Sequence, residues 1–417
     1  MILRISEIGR FLFRPHVWAA LVSNLGRNST RSVILRAFFI LLTTMLLAIS
    51  GPIAAQDSYQ TEATHAVIMD FETGQILFEK NGDEPMPPAS MSKLMTVLMV
   101  FEAIENGTIS LNDELPVSEN AWRRGGAASG SSTMFLEVNS RARVEDLLRG
   151  IMIQSGNDAC IVIAEALGGT EAAFAEMMND RALELGLENS SFANSTGWPH
   201  PDHRVSARDL ATIARIMMNN HSDLYPIWAE REFTYNGIRQ YNRNPLLGVF
   251  DGADGLKTGH TEESGYGLVG TAIRDDERRI IVFNGMTSNN ARANEAERMM
   301  RAALSDFSVY HLFAADDPVE QSAPVFMGEA EMVALRVGED ISIGLHRRAR
   351  RGLTVTAIYD GPIVAPINEG DQIGTLLVEA PGIEAQEYPL LADETVERKG
   401  LMGRIGAALV HMLRGGN

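Results

Sequence analysis

Ser90 and Lys93 lie three residues apart in the segment Pro-Pro-Ala-Ser-Met-Ser-Lys. Residues i and i+3 share one face of a helix, so the Lys93 ammonium can reach the Ser90 hydroxyl. A buried lysine can lose its proton near neutral pH, whereas arginine stays protonated. Lysine is rare here, because four of the 36 Lys and Arg residues are lysines and 32 are arginines. An N-cap serine followed by a surface lysine is the alternative, so the pair gains weight only if other motifs join it.

Two further short motifs follow in chain order. Ser155-Gly-Asn157 falls in a predicted turn between two helices, and Lys257-Thr-Gly259 ends a predicted strand. Each is weak alone, since Ser-Gly-Asn is an ordinary turn sequence. Together, two of the four lysines fall inside three motifs on elements that can line one cleft. The combination predicts a catalytic site.

The residue types suggest roles in acyl transfer. Ser90 at a helix N-terminus can act as the nucleophile, and its own N–H can form half of an oxyanion hole. Apolar neighbours should lower the pKa of Lys93 by desolvation, and a nearby cation, which we take to be Lys257, should lower it further. Gly259 lets a substrate backbone approach the strand without a Cβ in the way.

Other polar side chains are weaker candidates. Arg239, in Asn-Gly-Ile-Arg-Gln, could bind a carboxylate, and Arg292 is a lesser candidate on the same ground. His200 and His203 have the spacing of a metal pair, but no further His or Cys lies nearby in sequence, so we expect no metal. The single cysteine, Cys160, excludes an intramolecular disulfide, and we expect it to be a small buried core residue.

Strand and helix patterns surround these motifs. Apolar alternation predicts two strands from His65 onward, and later strands at 232–235, 253–259, 265–273 and 279–285. Helical spacing predicts helices at 90–104, 144–153, 158–167, 171–185, 206–218 and 291–306. Residues 56–318 are therefore predicted to form an α/β sheet packed on a helical cluster. Residues 319–393 alternate apolar and polar side chains between Gly and Pro turns, which predicts a separate small all-β domain.

The charge balance constrains the partners. The chain has 417 residues, 45% hydrophobic and 22% charged, as expected of a globular protein. Its net charge of −18 is asymmetric: residues 1–55 carry six Arg and one Glu, or +5, which leaves −23 for the remainder. Such an acidic chain argues against a nucleic-acid partner, which would need a basic face.

Both termini suggest a location. Basic residues up to Arg36, an apolar run at 37–49 and small residues up to Ala55 predict a signal peptide over 1–55 and export. An uncleaved anchor is the alternative. Residues 394–417 place apolar side chains at helical spacing with basic residues elsewhere, which predicts an amphipathic membrane-associating helix. Packing of this helix onto the protein's own core is the alternative, because two glycines weaken it.

The three motifs together resemble the penicillin-binding serine transferases, whose pattern is Ser-x-x-Lys, Ser-x-Asn and Lys-Thr-Gly. More narrowly, the chain is similar to the low-molecular-mass penicillin-binding proteins, the serine-type D-alanyl-D-alanine carboxypeptidases. Pro-Ala-Ser-Met-Ser-Lys-Leu-Met-Thr, Leu-Leu-Arg-Gly-Ile-Met-Ile-Gln-Ser-Gly-Asn-Asp-Ala and Gly-Leu-Lys-Thr-Gly-His-Thr carry the resemblance. It covers the mature chain nearly end to end. It implies an α/β, β-lactamase-like transpeptidase domain, with an antiparallel sheet and a helical cluster, followed by a small all-β domain.

The resemblance also assigns residues. It gives Ser155 the transfer of the proton to the leaving amine, and Asn157 a hydrogen bond to the substrate backbone. Lys257 and Thr258 would meet the terminal carboxylate of the peptide. The second oxyanion-hole N–H would belong to His260.

The implied reaction is acyl transfer without a cofactor. Ser90 attacks the D-Ala-D-Ala bond of peptidoglycan pentapeptide stems, the terminal D-alanine leaves, and water hydrolyses the acyl-enzyme. β-Lactams would acylate the same serine. The implied location is the periplasmic face of the inner (cytoplasmic) membrane, with the protein attached peripherally through its C-terminal helix.

Three rival functions fit parts of this pattern. A β-lactamase would need a loop carboxylate to activate the deacylating water, and would not need the β domain or the tail. A D-alanyl endopeptidase that cuts cross-links is hard to separate by sequence. A non-catalytic β-lactam sensor or wall-binding scaffold is the third, and a sensor should have transmembrane helices feeding a cytoplasmic output domain.

Overall fold

The computed structural model describes residues 59–401, 403 and 405. These residues form two compact units, a larger one of residues 59–317 and 337–350 and a smaller one of 318–336 and 351 onward. The chain first passes from the larger unit to the smaller one at residue 318. The return of 337–350 to the larger unit was not predicted. The predicted signal peptide, 1–55, lies outside the described residues.

The larger unit contains the seven α-helices for which the structure gives full bounds and eleven of the described strands. Its helices are α1 (Lys93–Glu105), α2 (Glu119–Gly125), α3 (Val144–Met152), α4 (Asn157–Gly168), α5 (Glu171–Glu184), α6 (Ala207–Asn220) and α7 (Asn289–Ser305). Its strands are β1 (His65–Asp70), β2 (Ile76–Lys80), β3 (Glu114–Pro116), β4 (Arg141–Arg143), β5 (Glu232–Tyr235), β6 (Ile238–Tyr241), β7 (Ala253–Thr261), β8 (Gly265–Arg274), β9 (Glu277–Met286), β10 (Phe307–Phe313) and β13 (Ile341–His346).

Five of these strands form the central antiparallel sheet, in the order β2-β1-β9-β8-β7. Strand β7 pairs only with β8 in this sheet, with Lys257 opposite Val269 and Gly259 opposite Gly267. Strands β5–β6, β3–β4 and β10–β13 form separate two-stranded sheets. The Lys-Thr-Gly motif therefore lies on an edge strand, where a ligand backbone can approach.

Both faces of the central sheet are buried, so β1 and β9 carry continuous apolar runs at 66–69 and 280–283. One face packs on the helical cluster and contributes Val67, Met69, Val269, Ile280 and Val282. The other face packs on α7 and contributes Ala66, Ile68, Leu268, Ile281 and Phe283. Alternate residues of one strand point to opposite faces, which explains this division. The predicted α/β fold with a helical cluster is confirmed.

The helices follow the predicted pattern, except that the first of them begins later than predicted. Ser206 caps α6 by accepting a hydrogen bond from Asp209 N (3.0 Å). The helix predicted from Ser90 instead begins with a 3₁₀ turn over Ala89–Ser92, and α1 starts at Lys93. Two prolines precede this turn and have no N–H, and Met91 N donates to the Pro88 carbonyl (3.2 Å).

The strands of the smaller unit are β11 (Pro318–Phe326), β12 (Met332–Val337), β14 (Thr354–Ile358), β15 (Ile363–Val364), β16 (Gln372–Glu379) and β17 (Gln386–Ala392). They form a six-stranded sheet in the order β14-β16-β17-β12-β11-β15. Buried side chains including Val333, Leu335, Leu376 and Leu390 form its core. The prediction of a small all-β domain is confirmed for this unit.

The predicted amphipathic helix begins later than residue 394. The backbone of Val396 instead forms an isolated β-bridge with Ile367, and that of Arg398 forms one with Gly328. These residues therefore continue the β structure of the smaller unit. Residues 401, 403 and 405 are helical, and the remainder of the predicted helix, 402, 404 and 406–417, lies outside the described residues. Within the described chain, no helix has both the length and the apolar character needed to cross a membrane.

Candidate active site

The Ser90 hydroxyl and the Lys93 ammonium are within hydrogen-bonding distance. Lys93 Nζ lies 2.9 Å from Ser90 Oγ, and it also donates to the Thr196 carbonyl oxygen. Ser90 lies in the 3₁₀ turn and is half-buried, while Lys93 opens α1 and is fully buried. The contact that the three-residue spacing predicts between Ser90 and Lys93 is therefore present.

Burial shifts the protonation of Lys93 in the predicted direction. The pKa of Lys93 is lowered to about 8, mainly by desolvation and to a smaller extent by the positive charge of Arg243. The Cys160, Asp158 and Glu171 side chains oppose this shift. A lysine with this pKa is partly neutral near neutral pH and can accept a proton.

The loop over residues 194–198 holds Lys93 from the opposite side, and no sequence motif pointed to it. Asn194 Oδ1 accepts hydrogen bonds from the backbone N–H groups of Thr196 (3.2 Å), Gly197 (2.8 Å) and Trp198 (3.1 Å). Gly197 has a φ of +82°, and a Cβ on it would lie 1.9 Å from the Ala89 carbonyl oxygen. The loop thus packs directly on the turn that carries Ser90.

The Ser155–Asn157 turn is held by its backbone and by its neighbour Asp158. Ser155 is buried and takes a left-handed φ of +66°, a conformation that costs a serine about 1 kcal/mol. Asn157 N donates to Ser132 O (2.8 Å). The Asp158 carboxylate accepts hydrogen bonds from Thr133 Oγ1 (2.6 Å), Met134 N (3.0 Å), Leu136 N (3.1 Å) and Ala159 N (3.0 Å). Residues 133–136 are thereby fixed beside the turn.

Helix α4 connects this turn to both lysines. Asn157 is its first residue, and its buried Oδ1 has no hydrogen-bond partner. Cys160 lies one turn further on, and its electrostatic interactions reach both Lys93 and Lys257. Burial raises the pKa of Cys160 to about 12, which suits the predicted core role.

The Lys-Thr-Gly strand lies against the turn that carries Ser90. A Cβ on Gly259 would lie 2.9 Å from the Pro88 carbonyl oxygen and 3.0 Å from Met91 Cγ. Lys257 is almost fully buried, and its Nζ donates to the Thr258 carbonyl oxygen (3.1 Å). Desolvation, followed by the charge of Lys93, holds the pKa of Lys257 well below its usual value. Gly259 therefore allows the strand to approach the 3₁₀ turn, in addition to its predicted role towards substrate.

Two arginines supply further positive charge. Arg243 Nη1 donates to Ser132 Oγ (2.7 Å), and its charge lowers the pKa of both Lys93 and Lys257. Arg292 is buried, its Nη1 lies 3.5 Å from the Gly259 carbonyl oxygen, and desolvation lowers its pKa to about 10. The sequence had singled out Arg292 as a weak candidate and had not singled out Arg243.

His260 and Arg239 lie on exposed surfaces. His260 follows Gly259 on β7 and its ring stacks on Tyr266, with ring centroids 3.8 Å apart. Arg239 is paired with Glu232 (2.9 Å) on the β5–β6 hairpin, and the next residue, Gln240, is buried and donates to Met134 O. Alternate residues of a strand face opposite ways, so Arg239 points away from the side that packs towards the cleft. The described contacts of Arg239 are with Glu232 and with the ring of Tyr241, whose centroid lies 5.2 Å from its guanidinium carbon.

The histidine pair does not form a recognisable metal site. His203 is buried, and its Nδ1 accepts a hydrogen bond from Ala193 N (3.3 Å). His200 is largely exposed and lies beside Asp202. Within the residues that the structure describes, no group of three or more His, Cys, Asp or Glu side chains could hold a metal ion.

The arrangement can perform serine acyl transfer. A nucleophile, a base with a lowered pKa and a set of cations meet beside an edge strand. Fold and site together define the penicillin-binding class of serine acyl-transfer proteins, whose three motifs occupy these positions.

Comparison with known proteins narrows this class. Residues 52–287 match the D-alanyl-D-alanine carboxypeptidase family, and residues 307–398 match the C-terminal domain of penicillin-binding protein 5. The chain belongs to the D-alanyl-D-alanine carboxypeptidase family. It is 34% identical over 363 residues to D-alanyl-D-alanine carboxypeptidase DacC of Escherichia coli K12, covering 84% of this chain and 89% of that protein. The predicted family and its enzyme class, a serine-type carboxypeptidase, are confirmed.

Solved structures support the same assignment. The D-alanyl-D-alanine carboxypeptidase DacD of Francisella tularensis superposes with a TM-score of 0.75 at 30% identity, covering 85% of this chain and 98% of that one. The ampicillin-bound form of penicillin-binding protein D2 from Listeria monocytogenes gives a TM-score of 0.52 at 28% identity, covering 60% of this chain and all of that one.

Proposed function

We propose that this protein removes the terminal D-alanine from peptidoglycan pentapeptide stems through an acyl-enzyme on Ser90. The observation that carries the proposal is the 2.9 Å contact between Ser90 Oγ and the fully buried Lys93 Nζ. Family membership supports the substrate, because the relatives carry the name D-alanyl-D-alanine carboxypeptidase. The ampicillin-bound Listeria protein supports acylation of Ser90 by β-lactams.

Acylation requires one proton to move from Ser90 to the leaving amine. Neutral Lys93 takes the Ser90 hydroxyl proton as Oγ attacks the carbonyl carbon of the penultimate D-alanine. The N–H groups of Ser90 and His260 stabilise the oxyanion. Ser155 passes the proton to the amine of the departing D-alanine, and the C–N bond breaks. Lys93 then takes a proton from water as the water oxygen attacks the ester carbon. The bond between that carbon and Ser90 Oγ breaks, Oγ takes the proton back from Lys93, and the shortened peptide leaves as its carboxylic acid.

Substrate binding uses the cations and amide groups of the cleft. The side chains of Lys257 and Thr258 bind the terminal carboxylate of the peptide, and Asn157 donates to its backbone. Arg243 adds positive charge to the same region, since its charge acts on both buried lysines. A bound carboxylate would raise the pKa of Lys257 and restore its charge.

Release of D-alanine from a synthetic pentapeptide ending in D-Ala-D-Ala tests the proposal. Wild-type protein should release one D-alanine per peptide, and Ser90→Ala should release none. Cross-linked muropeptide dimers should remain uncut in the same assay. Cleavage of the dimers without release from the pentapeptide would establish an endopeptidase. Rapid hydrolysis of penicillin without D-alanine release would establish a β-lactamase.

We infer further that the protein is exported and attaches peripherally to the outer surface of the cytoplasmic membrane. The basic and apolar pattern of residues 1–55 supports export. The exposed Leu401 and Ile405, which are helical in the structure, supply the start of an apolar face for residues 401–417.

A further inference from the structure

The Glu171 carboxylate connects two walls of the cleft. Its Oε1 accepts hydrogen bonds from the hydroxyl (2.9 Å) and the backbone N–H (3.4 Å) of Ser195. Its Oε2 accepts a hydrogen bond from Arg124 Nη1 (2.8 Å). The Glu171 side chain is only 10% exposed, and Ser195 is fully buried. Hydrogen bonds to an ionised carboxylate are stronger than those between neutral groups, so Glu171 holds Arg124 and Ser195 firmly in place.

Ser195 connects Glu171 to Lys93, the proposed base. The peptide bond after Ser195 leads to Thr196, whose carbonyl oxygen accepts a hydrogen bond from Lys93 Nζ. The Ser195 carbonyl in turn accepts a hydrogen bond from Thr96 Oγ1 (2.8 Å), one turn after Lys93 on α1. Ser195 is therefore fixed on one side by Glu171 and on the other by the helix of the base.

The Thr196 carbonyl has a geometric role in proton transfer. A neutral lysine has two N–H groups and one lone pair, and only the lone pair can accept the Ser90 proton. A hydrogen bond from one N–H to Thr196 O restricts rotation of the amine about the Cε–Nζ bond. The lone pair can then face Ser90 Oγ. A displaced carbonyl would leave the lone pair free to turn away.

Arg124 extends the connection to the other wall. It lies at the end of α2, and its guanidinium stacks over the Trp198 ring at 5.3 Å. The next residue, Gly125, packs on the Ser-x-Asn turn, because a Cβ there would lie 2.6 Å from the Asn157 carbonyl carbon. Glu171 thus bridges the wall that carries Asn157 to the loop that holds Lys93.

We propose that Glu171 is a positioning residue for the general base, acting through Ser195 and the Thr196 carbonyl. It does not touch the reacting atoms. The inference rests on the proposed role of Lys93 as the base for Ser90. It also explains why a carboxylate close to the cleft is not free to activate water, since both of its oxygens are engaged by Arg124 and Ser195.

Glu171 also acts on Lys93 through its charge. The charged or titratable groups that act on Lys93 from the surrounding elements are Cys160, Asp158, Glu171, Arg243, Lys257 and His203. The acylation rate should fall as the pH drops below the pKa of Lys93, and this falling part of the pH–rate profile is its acid limb. The negative charge of Glu171 raises the pKa of Lys93. Removal of the Glu171 charge should therefore lower that pKa and shift the acid limb to lower pH. A purely structural role would leave the limb in place.

The test measures acylation of full-length protein by a fluorescent penicillin between pH 5 and pH 10, together with the melting temperature. Glu171→Gln should lose about tenfold to a hundredfold in second-order rate and shift the acid limb to lower pH. Ser195→Ala removes one hydrogen bond but no charge, so it should slow acylation without moving the limb. Glu165→Gln is the matched control, because its carboxylate bonds to Asn120 and not to Ser195, and it should behave as wild type.

Two outcomes would overturn the inference. One is a Glu171→Gln protein with the rate and acid limb of wild type. The other is a Glu171→Gln protein whose rate falls only in proportion to its folded fraction, with an unmoved limb. A wild-type protein that is not acylated at all would instead refute the proposed function, so the two failures are distinguishable.

Discussion

The positive charge of Lys93 lowers the pKa of Lys257, and both ammonium groups are removed from solvent. Desolvation is the larger cause of the lowered pKa at each lysine. The two lysines nevertheless have different tasks in the proposed reaction, because one must accept a proton and the other must meet a carboxylate. Their pKa values should therefore respond differently to substrate.

The acylation rate should depend on the protonation of Lys93. Because the pKa of Lys93 is about 8, the second-order rate of acylation by penicillin should rise about tenfold per pH unit below that value and level off above it. Lys93→Arg should lose about 10²-fold to 10⁴-fold or more, since arginine remains protonated. Lys80→Arg, on an exposed strand end, is the matched control. Full activity of Lys93→Arg would contradict the assignment of the base.

Arg243 and Arg239 can be distinguished by the same substitution. Arg243→Gln should raise the pKa of Lys93 and move the acid limb to higher pH, because the Arg243 charge lowers that pKa. It should also raise the KM for the pentapeptide, since a cation near the carboxylate is lost. Arg239→Gln should leave both quantities unchanged if its pairing with Glu232 describes its whole role. An equal rise in the KM for the pentapeptide in the two variants would favour the prediction that Arg239 binds the substrate carboxylate.

Asp158 should be important for stability as well as for the shape of the cleft. Asp158→Asn removes a buried charge that accepts four hydrogen bonds, and it should lower the free energy of unfolding by about 3 kcal/mol. Urea unfolding followed by tryptophan fluorescence measures this loss. Asp180→Asn, on the exposed face of α5, should change the midpoint little. A midpoint equal to that of wild type in Asp158→Asn would show that the network is dispensable.

Gly259→Ala should separate the strand from the Ser90 turn. The added methyl would meet the Pro88 carbonyl oxygen at 2.9 Å, so one of the two backbones must move. We expect a cost of about 1–3 kcal/mol in stability and a larger proportional loss in the rate of acylation. Gly400→Ala has no atom within 4 Å of its Cβ and serves as the control. Unchanged acylation would mean that the turn tolerates the displacement.

Deletion of residues 401–417 should move the protein from the membrane fraction to the soluble fraction. This cut preserves the bridges of Val396 and Arg398, which a deletion from residue 397 would remove in part. The truncated protein should keep its activity on the soluble pentapeptide, because the deleted residues are not among those proposed to act on substrate. An unchanged distribution after fractionation would remove the anchor hypothesis.

Local sequence patterns predicted the parts of the site that depend on short spacing. Ser90 and Lys93 meet because they are three residues apart on adjoining helical turns. The Thr196 carbonyl was not predictable, because a backbone oxygen has no residue type and reaches Lys93 across 103 residues. Glu171 was missed for a similar reason, since only the folded chain brings it to Ser195.

The sequence motifs did not predict which arginine of the segment 239–243 lies near the buried lysines. Arg239 and Arg243 lie four residues apart in the same segment, and both guanidinium groups could in principle bind a carboxylate. The orientation of Arg239 depends on the register of the β5–β6 hairpin, in which Thr234 lies opposite Arg239 and Phe233 opposite Gln240. A shift of one residue would reverse the two faces. The sequence alone does not determine that register.

The pairing of β10 with β13 has a consequence for the exchange of segments between related genes. Strand β13 follows β12 in the chain but returns to the larger unit, where Phe307 lies opposite His346 and Tyr310 opposite Ile343. A recombination breakpoint at residue 318 would thus join β10 from one parent to β13 from the other. Hybrids should fold more readily when the breakpoint precedes residue 307, because both partners of this strand pair are then inherited together.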